Sequence, residues 1–440
     1  MTTTIPVPLD ETAVSDASDV QADVATSATK LTKPLRRTAI GISALLTSLV
    51  AINSGGMGVL IPDLVAKLDA ANKVTNLAIV ATVAFVVTII AQPLAGALSD
   101  ATRSRFGRRS PWIVFGALVA GGFTIGLPLA GSSLAMITVT WVLVQVGVNA
   151  VLAAAQAIVP DRFAPSQRGA ASSMAGVGVT VGNAVGAGIA GGLAVQGQLP
   201  YAVLGLLLLV VAGVFVLVNR EASNVDVPRA AFSWKAFAKG FWVSPRKHPD
   251  FAWAFAARFL MVIGFAAGTT YGLYTLRDYI GLDDATSNVV VAQMAVILLL
   301  GTFISAAVSG KLSDKSGRRK PFIVWASVIM AASFVLPLAW PTVTSMLVYS
   351  FVMGLGFGTY IAIDLALMTE VLPVSVTGSE DSAGRDLAIL GIATTIPQAI
   401  TPGLAGALIT IFGGYQVTFI AGIVFVLLGI VAIIPIRSVR

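Results

Sequence analysis

Apolar runs of roughly eighteen residues or more recur along the whole chain, and they constrain the fold more than any other feature. A helix of about 20 such residues, rising about 1.5 Å per residue, crosses the roughly 30 Å hydrocarbon layer of a bilayer. Hydrophobic residues make up 56% of the 440 residues and charged residues only 11%, against about 25% charge in a typical soluble domain. The sequence therefore predicts an all-α integral membrane protein that has the lipid bilayer as its solvent.

The apolar runs predict twelve membrane-spanning helices in two sets of six. The first set covers about 38–61, 76–99, 112–131, 134–159, 169–194 and 201–218. The second set covers about 251–276, 288–312, 321–340, 342–369, 386–411 and 415–436. These spans form an N-terminal six-helix bundle (38–218) and a C-terminal six-helix bundle (251–436), an organisation that many transporter folds reach by internal duplication.

Three further segments lie outside the bundles. Residues 1–37 consist of an acidic tail, which we expect to be disordered, and a basic juxtamembrane segment. In residues 219–250, Trp and Phe alternate with Lys and Arg, which predicts an amphipathic helix on the cytoplasmic membrane surface. This linker either couples the two bundles or only tethers them. Residues 437–440 are predicted to be a short cytoplasmic C-terminus.

The basic residues divide the loops into two faces. Both termini and the loops after the even-numbered spans carry nearly all of them, and we call this side the basic face. The loops of the opposite face carry only Lys67, Lys73 and Arg277. Because cytoplasmic loops hold an excess of Lys and Arg, we predict that both termini are cytoplasmic. The protein is accordingly expected to be a multi-pass protein of the cell membrane, either plasma or inner.

Two basic turns repeat one motif at an interval of about half the chain. In the first turn, Gly-Ala-Leu-Ser-Asp at 96–100 precedes Gly-Arg-Arg at 107–109. In the second turn, Gly-Lys-Leu-Ser-Asp at 310–314 precedes Gly-Arg-Arg at 317–319. The second motif starts 214 residues after the first, at 310 against 96. A charged turn repeated between two pairs of apolar helices indicates that the bundles are pseudo-symmetric.

These turns carry a resemblance to a known family. Residues 96–109 and 310–319 resemble the signature between the second and third helices of the major facilitator superfamily, G-x-x-x-D followed by G-R-R, and residues 99–112 and 313–322 are their fuller form. In their fuller form they are most similar to the turns of sucrose-type and glycoside–pentoside–hexuronide cation symporters. The resemblance extends over about 38–436 and implies the major facilitator fold, in which two bundles rock about a central site. It also implies transport of a sugar driven by protons or sodium.

The charges of the two turns predict a cytoplasmic gate. An aspartate ends the span before each turn, where the helix dipole disfavours negative charge, so it requires a compensating group. A second acid ends a later span of the same half. We predict the ion pairs Arg108–Asp161 and Arg318–Glu370, which form and break during transport; the alternative is that these arginines only set the topology. The predicted gate residues are Asp100, Arg108, Asp161, Asp314, Arg318 and Glu370.

Polar side chains inside the spans are candidates for solute binding, because such groups are costly against lipid. The family resemblance implies that helices 1, 4, 7 and 10 line the central cavity. Amides suit the hydroxyl groups of a polyol, and aromatic faces stack on the C–H surfaces of a sugar. The alternative for each amide is a hydrogen bond between helices. The predicted solute-binding residues are Asn53, Gln145, Asn149, Tyr271, Tyr274, Tyr360 and Gln398.

Arg258 and Asp364 are opposite charges inside the C-terminal bundle. Each lies roughly eight residues, about 12 Å, from the cytoplasmic end of its span. A carboxyl group at that depth tends to protonate, whereas an arginine nearby favours its ionised form. We predict that Asp364 carries the coupling ion, a proton or sodium, and that Arg258 restores the carboxylate; the alternatives are a static ion pair, or an Arg258 side chain that extends to the inner headgroups. This chain differs from sucrose-type symporters in having no acidic residue inside spans 1 or 4.

Several classes of protein are excluded or disfavoured. The chain has no cysteine and a single histidine, so we expect no metal site and no cofactor. It has no P-loop motif and no Ser–His–Asp set, so we do not expect an enzyme, and its basic charge lies in membrane loops rather than in a nucleic-acid site. We expect a monomeric secondary transporter that imports a sugar-like solute with a proton or sodium. The alternative is a drug or metabolite efflux antiporter or a uniporter on the same fold.

Overall fold

The computed structural model describes residues 31–225, 248–316, 318–371 and 381–436. Most of the predicted tail, the central part of the predicted linker (226–247) and the C-terminal residues 437–440 therefore lie outside the described residues. Within the described ranges, twelve helices are long and apolar enough to cross a membrane. The prediction of an all-α chain with twelve membrane-spanning helices is confirmed.

In the first half these helices are α1 (Lys33–Leu68), α2 (Lys73–Ala101), α3 (Ser110–Gly126), α4 (Leu134–Arg162), α5 (Pro165–Gly192) and α6 (Leu199–Val218). In the second half they are α7 (Pro249–Tyr279), α8 (Asp284–Ser316), α9 (Lys320–Ala339), α10 (Val343–Val371), α11 (Asp381–Phe412) and α12 (Gln416–Ile433). Proline occupies the first or second position of α1, α3, α5, α6, α7 and α9. Its missing N–H has no helical partner at those positions, so it defines the start of a helix without cost.

The two bundles have the same internal arrangement. In the N-terminal bundle α1 packs on α5 and α6, α2 packs on α4, and α3 packs on α4 and α6. Adding six to each number gives the packing of the C-terminal bundle, where α7 lies against α11 and α12, α8 against α10, and α9 against α10 and α12. The chain therefore folds into two pseudo-symmetric six-helix bundles.

Glycines allow the closest helix contact of the N-terminal bundle. Gly178, Gly182 and Gly186 of α5 face the backbone of α1, where a Cβ on any of them would collide with Ser43, Thr47 or Ala51 respectively. The Thr47 hydroxyl also donates a hydrogen bond of 3.1 Å to the carbonyl oxygen of Gly178. Small residues at steps of four place the two backbones in direct contact, as in other membrane helix pairs.

The bundles meet through α2 against α11 and through α5 against α8. Two α7 residues of the C-terminal bundle, Tyr271 and Tyr274, are buried in the apolar core of the N-terminal bundle. Both α1 and α7 contain a π-helical turn near the opposite face, at Gly56–Leu60 and at Thr275–Tyr279. Helix α1, which contains the first π-turn, continues to Leu68, beyond the predicted end near residue 61.

Candidate functional site

The first basic turn forms an ion-pair network at the basic face of the N-terminal bundle. The Arg108 guanidinium lies 2.5 Å from Asp161, as the sequence predicted for this pair. The Nε of Arg109 lies 3.0 Å from the other carboxylate oxygen of Asp161, and its Nη2 lies 2.6 Å from Asp100. Arg109 is nearly buried, with 5% of its side chain exposed, whereas Asp100 is largely exposed. The compensation that Asp100 requires at the end of α2 therefore comes from Arg109.

Glu221, just after α6, belongs to the same network, and no motif in the sequence pointed to it. Its carboxylate accepts hydrogen bonds from the backbone N–H groups of Arg109 and Ser110, at 2.9 and 3.3 Å, at the N-terminus of α3. Gly107 precedes this site with φ +83°, and a Cβ there would collide with Glu221. A carboxylate at a helix N-terminus is favoured by the exposed N–H groups and the helix dipole. The start of the linker is thus fixed to the first basic turn.

The second basic turn is described only in part. The side chains of Asp314 and Glu370 lie outside the described residues, as does Gly317. The backbone carbonyl of Arg318 lies within hydrogen-bond distance of the Ser313 hydroxyl, at 3.4 Å. The pairing of Arg318 with Glu370 stays a prediction.

Arg258 and Asp364 form an ion pair within the membrane-spanning part of the C-terminal bundle. Nη1 of Arg258 lies 2.9 Å from Oδ2 of Asp364, which joins α7 to α10. The Nε–H of Arg258 donates a hydrogen bond of 3.1 Å to the hydroxyl of Thr394 on α11. Asp364 is buried, at 6% exposure, and Tyr360 one turn earlier is buried as well. Both charges thus have partners in a region where an unpaired charge is costly.

The predicted solute-binding amides differ in their surroundings. Gln145 and Asn149 are buried, and the Asn149 amide donates hydrogen bonds to the Gln145 carbonyl at 2.7 Å and to the hydroxyl of Thr88 on α2 at 3.2 Å. Asn53 is half-buried and contacts its own helix, whereas Gln398 is exposed. Asn149 therefore also ties α4 to α2, the alternative role of such amides, and solute binding by these residues stays a prediction.

Tyr271 and Tyr274 lie in the contact between the bundles near the opposite face. The Tyr274 hydroxyl donates a 2.8 Å hydrogen bond to the carbonyl of Pro62 in the N-terminal bundle. The Tyr271 hydroxyl lies 2.9 Å from the Pro402 carbonyl and 3.3 Å from the Val74 carbonyl. Both rings are almost fully buried. In this conformation the two tyrosines thus join the bundles to each other, and solute binding by them stays a prediction.

Ion pairs connect the bundles beside these tyrosines, and the sequence analysis did not predict them. Arg277 of α7 lies 2.9 Å from Asp63 of α1. Asp278, the next residue, lies 2.8 Å from Lys73 of α2 and accepts a 2.6 Å hydrogen bond from the Tyr415 hydroxyl. We call Asp63, Lys73, Arg277, Asp278 and Tyr415 the opposite-face contact. The signal in the sequence was that this face has few charges, and two of its three basic residues, Lys73 and Arg277, belong to the contact.

Comparison with known proteins identifies the family. The family model of the Major Facilitator Superfamily matches residues 43–379 and 278–439, and the chain belongs to this superfamily. The fold is similar to that of a bacterial homologue of the human lysosomal transporter Spinster in an inward-facing, unoccupied conformation, with a TM-score of 0.67 over 92% of this chain and 97% of that chain at 16% identity. It is also similar to the D-xylose-proton symporter, with a TM-score of 0.63 over 89% of this chain and 96% of that chain at 14% identity.

Curated relatives match a shorter part of the chain. The arabinose-proton symporter of Bacillus subtilis is 28% identical over 149 residues, which cover 31% of this chain and 31% of the relative. The glucose transporter GlcP of Staphylococcus epidermidis is 25% identical over 142 residues, which cover 30% of this chain and 31% of the relative. The matched segment thus spans about a third of each relative's length.

Proposed function

We propose that this protein is a secondary active transporter that moves a sugar-like solute across the cell membrane together with a proton. The two bundles rock so that a central site opens to each side in turn, with the basic face in the cytoplasm. The observation that carries this proposal is the buried ion pair between Arg258 and Asp364, 2.9 Å apart within the membrane-spanning part of the C-terminal bundle. The sugar and proton symporters among the relatives support it.

The ion pair suits proton coupling because the carboxylate has two competing partners. The adjacent positive charge of Arg258 favours the carboxylate form of Asp364, whereas burial of the carboxyl group favours its protonated form. A proton that reaches Asp364 removes that attraction and releases the guanidinium for another partner. The pair joins α7 to α10, and its guanidinium also binds α11, so protonation changes contacts among three helices. A static ion pair would instead hold these helices in one arrangement throughout the cycle.

A proton fits this site better than sodium. Sodium sites in transporters are built from oxygen ligands, often from carbonyl groups that unwound helices expose. Asp364 lies inside the continuous helix α10, and its ionic partner is a guanidinium rather than further oxygen atoms. These features favour the proton over sodium as the coupling ion.

Amide side chains inside the membrane-spanning helices are suited to contact a polyol. Asn53 of α1 is half-buried and Gln398 of α11 is exposed, although both lie in membrane-spanning helices. Exposed amides are unfavourable against lipid, so they favour positions that line a water-filled space between the bundles. Amide groups donate and accept hydrogen bonds at once, as sugar hydroxyls do. We infer that the solute is a neutral polyol held by such groups.

Transport by purified protein in liposomes tests the proposal. A panel of labelled pentoses, hexoses and disaccharides is offered with an inward proton gradient, an inward sodium gradient, or neither. We expect accumulation of at least one sugar with the proton gradient, and loss of that accumulation in Asp364→Asn. Asp69→Asn, which alters an exposed carboxylate with local partners, is the matched control and should accumulate sugar normally. Accumulation driven by sodium alone, or proton-driven export of amphipathic drugs without sugar uptake, would overturn the proposal.

A further inference from the structure

Four charges meet between the bundles at the opposite face, and they are arranged as two ion pairs of reversed polarity. In the first pair, Arg277 of the C-terminal bundle supplies the positive charge and Asp63 of the N-terminal bundle the negative charge. In the second pair, the C-terminal bundle supplies Asp278 and the N-terminal bundle supplies Lys73. The two residues of α7 are adjacent in the chain. Since neighbouring helical residues point about 100° apart, they reach two different helices of the other bundle.

The pairs are partly buried, which decides how strongly they act. The exposed fractions of the side chains are 8% for Arg277 and 14% for Asp63, against 19% for Lys73 and 34% for Asp278. Fully exposed ion pairs contribute little because water and salt screen them, whereas partly buried pairs are screened much less. The Arg277–Asp63 pair is therefore expected to hold the bundles together more strongly than the Lys73–Asp278 pair.

Other residues orient the two α7 side chains. Arg277 is also bound by Asp284, at 3.0 Å from Nε, and by the side-chain oxygen of Asn288, at 3.2 Å from Nη2. Asp278 accepts the 2.6 Å hydrogen bond from Tyr415. Burial and this bond to Asp278 raise the pKa of the Tyr415 phenol, so the hydroxyl remains a donor at any physiological pH. Contacts within the C-terminal bundle thus hold Arg277 and Asp278 in orientations that reach the N-terminal bundle.

The backbone at this point is a π-turn, Thr275–Tyr279, and it contains both Arg277 and Asp278. The matching π-turn of α1, Gly56–Leu60, lies three residues before Asp63. Single π-turns inside α-helices often occur at functional sites, and they are among the structural causes of helix bending. The residues that join the bundles are therefore carried by the parts of α1 and α7 best suited to bend.

We propose that Arg277 and Asp278 hold the opposite-face end of the solute pathway closed by binding Asp63 and Lys73, with Tyr415 as the positioning residue for Asp278. This inference rests on the proposed function, in which the central site opens to each side in turn, and it names the residues that keep the opposite face closed. Closure of the pathway at the opposite face would then depend on the charges of these four side chains. Loss of either pair shifts the population toward a form open at this face.

A thiol reporter tests the proposal without any solute. Because the native chain has no cysteine, Thr269→Cys places a single thiol in the protein. Thr269 is an exposed polar residue of α7, ten positions before Tyr279 at the end of that helix. The full-length reporter protein is inserted in liposomes, and a membrane-impermeant maleimide is added on the side of the opposite face. Slow labelling reports a closed pathway, and faster labelling reports opening.

We expect Arg277→Gln and Asp63→Asn each to raise the labelling rate about fivefold, and the double variant to label no faster than the quicker single variant. Such non-additivity is the signature of two residues that act through one contact. Labelling unchanged in both single variants, or an additive effect in the double variant, would overturn the proposal for this pair. Asp283→Asn is the matched control, because this exposed carboxylate of the same face bonds only locally, to Thr286, and its labelling should equal that of the reporter alone.

The second pair allows a charge exchange. Lys73→Asp and Asp278→Lys should each increase labelling, and the two together should return the rate to within about twofold of the reporter protein. Tyr415→Phe, a mild change that keeps the ring, should raise labelling about twofold, since it removes only the hydrogen bond to Asp278. Failure of the exchanged pair to slow labelling would contradict a direct contact. If the protein shows these labelling responses but takes up no sugar, the proposed contact is supported and only the proposed solute is wrong.

Discussion

The guanidinium of Arg258 lies 2.9 Å from the carboxylate of Asp364, and these two residues, 106 positions apart in the chain, connect α7 with α10. Arg258 also binds Thr394 of α11, so a single side chain contacts three helices of the C-terminal bundle. Asp364 is buried, which means that its charge depends on its partner rather than on water. Under the proposed coupling, a change in the protonation of this one carboxyl group would alter contacts among three helices.

Asp364→Asn should uncouple solute movement from the proton. The amide keeps the size of the side chain and a contact to Arg258, but it cannot take up or release a proton. We expect accumulation driven by a pH gradient to fall by about tenfold or more, while exchange of solute at equal concentrations on both sides stays within about threefold of the parent protein. Labelled-sugar uptake and counterflow in liposomes measure the two quantities. Undiminished accumulation would remove Asp364 from the coupling role.

Arg258→Met should destabilise the protein more than removal of the whole pair. The substitution leaves the Asp364 carboxylate buried without its counter-charge, which costs about 3–5 kcal/mol when a buried ion pair is broken. In the double variant Arg258→Met/Asp364→Leu no charge remains, and we expect most of the loss to be recovered. Thermal unfolding of the detergent-solubilised protein compares the three chains. A double variant that is less stable than Arg258→Met would contradict this account.

Gly107→Ala should destabilise the first basic turn, whereas Gly96→Ala in the same motif should not. Gly107 has φ +83°, and an added Cβ would collide with Glu221. The left-handed backbone alone costs an alanine about 1–2 kcal/mol, and the displaced carboxylate adds to this. Gly96 lies inside α2, and a Cβ there would meet no atom within 4 Å, so alanine should be neutral or stabilising by up to about 1 kcal/mol. Equal unfolding midpoints for the two variants would show that the turn does not require its glycine.

Gly186→Ala and Gly188→Ala form a second matched pair, in α5. A Cβ at Gly186 would collide with the backbone of Ala51 in α1, whereas a Cβ at Gly188 would meet no atom within 4 Å. We expect Gly186→Ala to destabilise the protein by about 2 kcal/mol or more, because the two helix backbones must separate. Gly188→Ala should leave the unfolding midpoint unchanged or slightly raised. The comparison is made by thermal unfolding in one detergent, and a harmless Gly186→Ala would show that α1 can move away from α5 at little cost.

The membrane-spanning helices and the charged pairs within a bundle were accessible to sequence reasoning. Each span is an apolar run long enough to cross the bilayer, so its presence follows from the length of the run. The contact of Arg108 with Asp161 followed from the repeated motif, and that of Arg258 with Asp364 from the rarity of charge inside a span. In these cases an unpaired charge would be costly, and only a few oppositely charged residues are candidates to pair with it.

The contacts between the bundles were not accessible in this way. Asp63 and Arg277 are 214 residues apart, and each lies where a charge also fits a solvated loop. Their pairing depends on how the bundles meet, which no local pattern specifies. Tyr274 was predicted to contact the solute, and in this conformation its hydroxyl binds the carbonyl of Pro62. A phenol suits either partner equally, so residue type alone does not distinguish them. Glu221 was missed for a similar reason, because backbone N–H groups at a helix start attract a carboxylate from any nearby loop.

The arrangement of Arg109 has a consequence for movement at the basic face. Its side chain binds Asp100 and Asp161, which end α2 and α4 of the same bundle, and Arg108 shares Asp161. Under the proposed rocking motion, separation of the two bundles on this side would leave these ion pairs intact, in contrast to the predicted forming and breaking of the Arg108–Asp161 pair. The free energy needed to separate the two bundles at this face would then be set by the apolar surfaces between them and by any contacts that Asp100 and Asp161 make with the other bundle.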